Sequence, residues 1–195
     1  MTHTPIVVGR VLRSSTNGYT IGTKVLKAEV PHFGDFVKVH VSNGCDVVGL
    51  IANVVIRDDP FIRQLAAPEI DQEIIADHRE NRLTIEVSVA IVGYSEQGRV
   101  CQYLPSQPPT ALEEIWTCTD QEIAEFTQAG FTFFRTILDS KEGLADELLG
   151  AALRRASQTY TPRERDFLVR AGRELSRLLA FDAVRLEGLL RRIKP

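Results

Sequence analysis

Near residue 120 the spacing of apolar side chains changes from every second residue to every third or fourth, so one chain must bury two kinds of surface. Ahead of the switch the pattern demands a sheet; behind it, packed helices. Ile85, Val87, Val89 and Ile91 fall on one face of a strand, with Thr84, Glu86, Ser88 and Ala90 on the other. Val37, Val39 and Val41 alternate in the same way with Phe36, Lys38 and His40. The following Ser42-Asn43-Gly44 supplies the positive φ of a tight hairpin. Residues 47–56 are almost continuously apolar, as a strand buried on both faces would be, with Gly49 as a bend or bulge. Further strands are expected at 6–12, 19–23 and 99–103. Six short strands with turn signals at this spacing favour a closed barrel over an open sheet, because closure removes exposed edges. Ile70 and Ile74, four apart among acids, allow a helix over 68–75, or a long loop.

Pro105, Pro108 and Pro109 form a stiff connector that continues neither helix nor sheet, and the expected boundary lies there: a barrel over 1–110 and a helical domain over 111–195. Thr119-Asp120-Gln121-Glu122 has the spacing of a capping box. Thr161-Pro162-Arg163-Glu164 repeats it, with proline at the first helical position. One helical stripe runs through Phe167, Ala171, Leu175 and Leu178, another through Val184, Leu186, Leu189, Leu190 and Ile193, and an earlier helix or pair spans 129–156. The fold class read from these patterns is α+β, a small antiparallel β-barrel followed by a bundle of three or four helices. With 195 residues, 44% of them apolar, a core needs no staples.

The net charge of −3 is unevenly spread, acidic before residue 141 and basic after it. Arg170, Arg173 and Arg177 share one helical face with Arg163, and Arg154, Arg155, Arg191, Arg192 and Lys194 add charge nearby. Arg163, Arg170, Arg173, Arg177, Arg191 and Arg192 are therefore candidates for a phosphate-binding face with salt-sensitive affinity. The competing reading, which we favour, is a solvated face neutralised by Asp166 with Arg170, Glu187 with Arg191, and Glu174 beside Arg170 and Arg177. Such pairs contribute about 0.2 to 0.5 kcal/mol each. The 3 cysteines are widely spaced and odd in number, fitting neither a disulfide framework nor a zinc site. A reducing cytoplasm is the expected home, since the N-terminus lacks a signal-peptide pattern and no run approaches the roughly 18 apolar residues of a membrane span. His3, His32, His40 and His78 show no metal-ligand spacing. Ser14, Ser15 and Cys45 lack a nucleophile motif, and Asp58, Asp59, Glu69, Asp71 and Glu73 read as solvated acids rather than a metal site. Tyr19, Phe33, Phe36, Tyr94 and Tyr103 are expected to fill the barrel rather than stack bases. No catalytic residue, metal or cofactor is expected.

No Gly-Lys-Ser or Gly-Lys-Thr occurs, and the stretch from Gly143 to Gly150 carries Asp146 and Glu147 where a phosphate loop needs positive charge. Gly9-Arg10-Val11, Phe33-Gly34-Asp35-Phe36-Val37-Lys38-Val39 and Val47-Val48-Gly49-Leu50-Ile51 resemble the strands of the HAS-barrel, the small barrel at the front of HerA-type DNA translocases and of rotary ATP synthase subunits. Val92-Gly93-Tyr94, Gly98-Arg99-Val100, the proline segment 105–109 and Thr119-Asp120-Gln121-Glu122-Ile123 resemble the exit from that barrel. The resemblance covers roughly the first 125 residues and stops where a HerA-like chain would present its P-loop. It implies a non-catalytic interaction or assembly module that self-associates or docks a HerA-type ATPase or a NurA-type nuclease in DNA-end processing. Phe33, Asp35, Arg57, Asp58 and Asp59 would be the partner-binding residues. The alternatives are weak direct nucleic-acid binding through the basic helices and an accessory role on a rotary ATPase.

Overall fold

A computed structural model describes residues 4–23, 32–42, 44–57, 84–140 and 144–194, the side chains of Arg57 and Thr84 excepted. The helix read over 68–75, Asn43, Asp58, Asp59, Glu69, Asp71, Glu73, His3, His78 and the Arg57 side chain lie outside the described residues. The strands are β1 (Val7–Ser15), β2 (Gly18–Thr23), β3 (Phe36–Val41), β4 (Cys45–Arg57), β5 (Thr84–Glu96), β6 (Arg99–Cys101) and β7 (Glu114–Thr117). Six of them close a ring in the order β1, β2, β5, β4, β3, β7, with every neighbouring pair antiparallel.

Alternation fills the ring. Val11, Ile21, Val37, Val39, Ile85 and Val87 are among the buried residues of one cluster that occupies the interior, with Ile115 from the closing strand. The long strand β4 is buried on both faces, as its continuous apolar run requires: Val47 and Ile51 belong to the interior, Val48, Leu50 and Ala52 to a second core outside. Its register with β5 shifts at Val48/Gly49 and again at Ile51/Asn53. The residues left without a cross-strand partner are Val92 at the first shift and Ala52 at the second, and both join the outer core. A Cβ at Gly49 would stand 2.4 Å from Val89 Cγ1, so the first bulge sits where only glycine lets the two strands approach.

Two expectations are corrected. The sixth stave is not the predicted strand at 99–103. Arg99–Cys101 pairs only with β5, as a hairpin beside the ring closed by Gln97 and Gly98 at φ 49° and 76°. The ring is closed instead by β7, which lies beyond the boundary expected at 110. The proline connector lies along the wall: Ser14 Oγ donates to the Pro109 carbonyl at 2.5 Å, and the Val11 and Leu112 amides donate to Glu113 and Val11.

The helices number five among the described residues rather than three or four: α1 (Asp120–Gln128), α2 (Phe133–Leu138), α3 (Ala145–Gln158), α4 (Glu164–Leu178) and α5 (Ala183–Ile193). The Thr119 capping box forms with both halves in place. The one read at Thr161 does not. Helix α4 begins at Glu164 with Arg163 at its cap and no side-chain cap bond, the Thr161–Pro162 peptide is cis, and Thr161 Oγ1 lies 3.0 Å from Gln158 O and 2.6 Å from Glu164 Oε1. None of these helices is long and apolar enough to cross a membrane.

The helices pack on the outer face of β4 and β5. A chain of aromatic contacts runs from the barrel into the bundle: Phe36 to Phe126 (6.1 Å between ring centroids), Phe126 to Phe133 (5.5 Å), Phe133 to Phe134 (4.9 Å), Phe134 to Phe131 (4.9 Å), Phe131 to Phe167 (5.8 Å) and Phe167 stacked on Tyr160 (4.5 Å). Barrel and helices therefore share one continuous apolar seam. Gln102 fastens the turn between α1 and α2, donating from Nε2 to the Phe126 and Gly130 carbonyls and accepting from the Thr132 amide.

Candidate docking surfaces

Of the expected partner positions, Phe33 and Asp35 lie among the described residues. The Phe33-Gly34-Asp35 turn faces inward. Gly34 has φ +87°, and a Cβ there would meet Ala151 Cβ on α3 at 2.4 Å. Phe33 packs against the outer core, and Asp35 accepts from the His32 amide at 2.7 Å while facing Arg155 of α3 at 4.0 Å. Arg155 also binds Asp120 at the start of α1, at 2.7 Å. Phe33 and Asp35, expected to greet a partner, are thus engaged with the chain's own helices.

Lys38 and Glu122 form an ion pair across the same seam. Burial penalises both charges, yet their mutual hydrogen bond prevails: Glu122, which also accepts from the Thr119 amide, is held below the ordinary carboxyl range and Lys38 above the ordinary ammonium value. Cys45, Cys101 and Cys118 are all buried, and none of them forms a disulfide among the described residues. Burial first, and then neighbouring carboxylates, push the Cys45 and Cys118 thiols up, which makes them poor nucleophiles. Among the described residues no three histidines, cysteines or carboxylates are grouped to hold a metal ion. Tyr19 is buried inside the barrel with its hydroxyl unpartnered, and burial holds its proton firmly.

The arginines divide. Arg177 pairs with Glu174 and Arg191 with Glu187, each at 2.6 Å, as the spacing predicted. Arg192 reaches Glu147 at 2.6 Å and Arg185 reaches Asp146 at 2.7 Å, so the acids opening α3 hold α5 in place. Arg170 does not pair with Asp166; its guanidinium lies 5.4 Å from the centre of the Phe131 ring. Arg163, Arg165 and Arg173 are exposed and have no carboxylate partner among the described residues.

Several large apolar side chains remain on the surface among the described residues, Val55, Ile56, Tyr103, Leu144 and Val169 among them. On the side of the barrel that the helices leave open, Val7, Leu12 and Leu112 are 48, 50 and 67% exposed. The Leu112 amide donates to the carbonyl of Val11, the residue before Leu12, so the backbone of the connector lies along β1 there. At the turn from α4 to α5, Phe181 is fully exposed and Val184 is 84% exposed. A cleft of about 700 Å³ separates the β1–β2 hairpin and β5 from α2 and α3, with Val89, Ala90, Ile91, Leu104, Ile137 and Leu148 among its apolar lining.

A scan against protein-family models finds no match to this chain, and a search of curated proteins finds none either.

Proposed function

We propose that the chain is a non-catalytic docking module whose barrel binds a protein partner, of the kind implied by its likeness to the HAS-barrel: a HerA-type ATPase or a NurA-type nuclease in DNA-end processing. One observation carries this reading. The barrel interior is filled by its own side chains, while the outer wall away from the helices presents Leu12 and Leu112 to solvent. A full interior leaves no room for a ligand there, and apolar side chains exposed on an outer wall are what a protein partner covers. Phe33 and Asp35, half-buried against the chain's own helices, offer a partner less apolar surface than this wall does. Capture of the full-length tagged chain from its native host, beside the Leu12→Glu/Leu112→Glu double variant, tests the reading. The wild-type chain should retain such an ATPase or nuclease and the variant should lose it. Recovery of no DNA-processing partner by the wild-type chain overturns it.

A second reading rests on Arg163, Arg170 and Arg173, none of which has a carboxylate partner among the described residues. These could hold nucleic-acid phosphates. Affinity for single- or double-stranded DNA should then fall steeply with salt and weaken on charge reversal at Arg173. A chain that shows no affinity at low salt ends this reading and leaves the first untouched.

A further inference from the structure

The spacing of charges along α4 suggests a neutralised face, since Asp166 and Glu174 both stand at ion-pair distance in sequence from Arg170. The structure withdraws both pairs. Glu174 is taken by Arg177 at 2.6 Å, Arg170 turns to the Phe131 ring at 5.4 Å, and Glu164 faces the Thr161 hydroxyl at 2.6 Å. Arg163, Arg165, Arg170 and Arg173 are left exposed with no ion pair among the described residues. Arg165 was not in the stripe expected from the sequence. Over residues 163–173 these guanidiniums meet a single exposed carboxylate, that of Asp166, so the stretch is positive on balance. Arg165 and Arg173, eight residues apart, stand opposite the buried Phe167, Ala171 and Leu175, and Arg163 and Arg170, seven apart, flank them. Those three core residues fix the row in place.

We infer that this face of α4 grips the phosphate backbone of a nucleic-acid duplex without reading its bases; the inference rests on the second reading above and names its ligand. From Arg163 to Arg173 the helix advances about 15 Å. One strand of a duplex carries a charge about every 3.4 Å along its axis, so the row spans about four phosphates. Guanidinium groups present paired donors that match phosphate oxygens, and Arg170 is already steadied by the ring beside it. A single strand is held differently, by stacking its bases on exposed aromatic side chains. Helix α4 offers none: Phe167 is buried, Phe131 lies under Arg170, and the apolar side chain exposed between the arginines is Val169. A disordered acidic polypeptide carries the same sign of charge but must be ordered to lay its carboxylates along a rigid row. A stiff duplex bears no such cost. Contacts confined to phosphates carry no sequence information, so binding is modest and indifferent to base order.

Fluorescence anisotropy of a labelled duplex of about 20 base pairs, and of its separate strands, titrated with the full chain at about 20 to 200 mM salt, tests this. The duplex should bind more tightly than either strand, and a duplex of unrelated sequence should bind within about twofold of it. The logarithm of affinity should fall against that of salt with a slope of about −3, as expected for three to four phosphates. Arg165→Ala and Arg173→Ala, both on the surface, should each reduce that slope by about 1. Arg10→Ala on the barrel wall removes the same charge elsewhere and should leave it unchanged. Absence of affinity for either form at low salt ends the second reading and this inference together. Tighter binding of a single strand, preference for one duplex sequence, or labelled polyglutamate bound as tightly as the duplex overturns the inference alone. Slopes that respond to Arg10→Ala as much as to Arg165→Ala and Arg173→Ala also overturn it, since net charge and not this face would then be at work.

Discussion

Replacing Gly34 by alanine tests whether barrel and helices are locked together as tightly as the geometry requires. Two costs combine. At φ +87° an L-residue sits in the left-handed region, at about 1 to 2 kcal/mol. The new methyl would also stand 2.4 Å from Ala151 Cβ and 2.9 Å from the Ala151 backbone carbon, so α3 or the turn must move. Overpacking of this kind costs about 1 to 3 kcal/mol. The Gly34→Ala chain should therefore lose about 2 to 5 kcal/mol, a large part of the total stability of a domain this size. Urea denaturation followed by circular dichroism reads this as a lower midpoint at an unchanged slope. Ala151→Gly removes the atom that is struck and costs about 1 kcal/mol by itself for a glycine inside a helix. In the double variant the share due to the Ala151 Cβ should return, while the backbone strain and the approach to the backbone carbon at 2.9 Å stay, giving a favourable coupling of about 1 kcal/mol. A Gly34→Ala chain within about 0.5 kcal/mol of wild type, or strictly additive variants, would refute the close approach.

Three further outcomes follow from the seam. Glu122 is held below its ordinary pKa of 4.5 and Lys38 above its ordinary 10.5, so their contribution is intact between those values, lost as pH falls through the folded-state value of Glu122, and lost as pH rises through that of Lys38. Glu122→Gln should cost about 1 kcal/mol at neutral pH and flatten the acid side of a stability–pH curve, read by thermal melts. Phe133→Ala or Phe134→Ala, each removing a side chain with no solvent exposure, should cost about 3 to 5 kcal/mol in the same urea assay. Cys45, Cys101 and Cys118 should react with an aromatic disulfide reagent far more slowly in the native chain than in urea, where all three should be modified together.

The parts of this fold that the sequence disclosed are those in which one element carries its own signal over many residues. Strand β5 shows four inward residues in strict alternation, and β4 announces burial on both faces by a long apolar run. Thr119 and Glu122 make the capping box their spacing specifies because both partners lie within one turn. What escaped the reading depends on distant contacts. Four residues, Glu114–Thr117, are too few to show a period, and they follow prolines that mark a boundary when read locally. Arg170 meets Phe131 rather than Asp166 because the helix is packed on a turn some forty residues upstream, and a nearby aromatic face competes with an exposed carboxylate. The glycine at 34 was visible as part of a motif, but its neighbour on α3 was not, so the contacts of Phe33 and Asp35 with the chain's own core and Arg155 were not foreseen. The exposure of Phe181 has no periodic signature either, since a lone phenylalanine between two helical stripes reads as core.

The position of β7 in the chain has a kinetic corollary. Its two neighbours in the cylinder, β1 and β3, are translated long before it, and the first of the described helices begins three residues after it ends. A nascent chain halted after residue 110 would hold two raw edges apart with nothing to bridge them, a state prone to pairing with other chains. The clasp and the lid arrive almost together, so formation of the cylinder and capture of the helices should be a single late event, and a fragment ending at 110 should aggregate where one ending after the last helix should not.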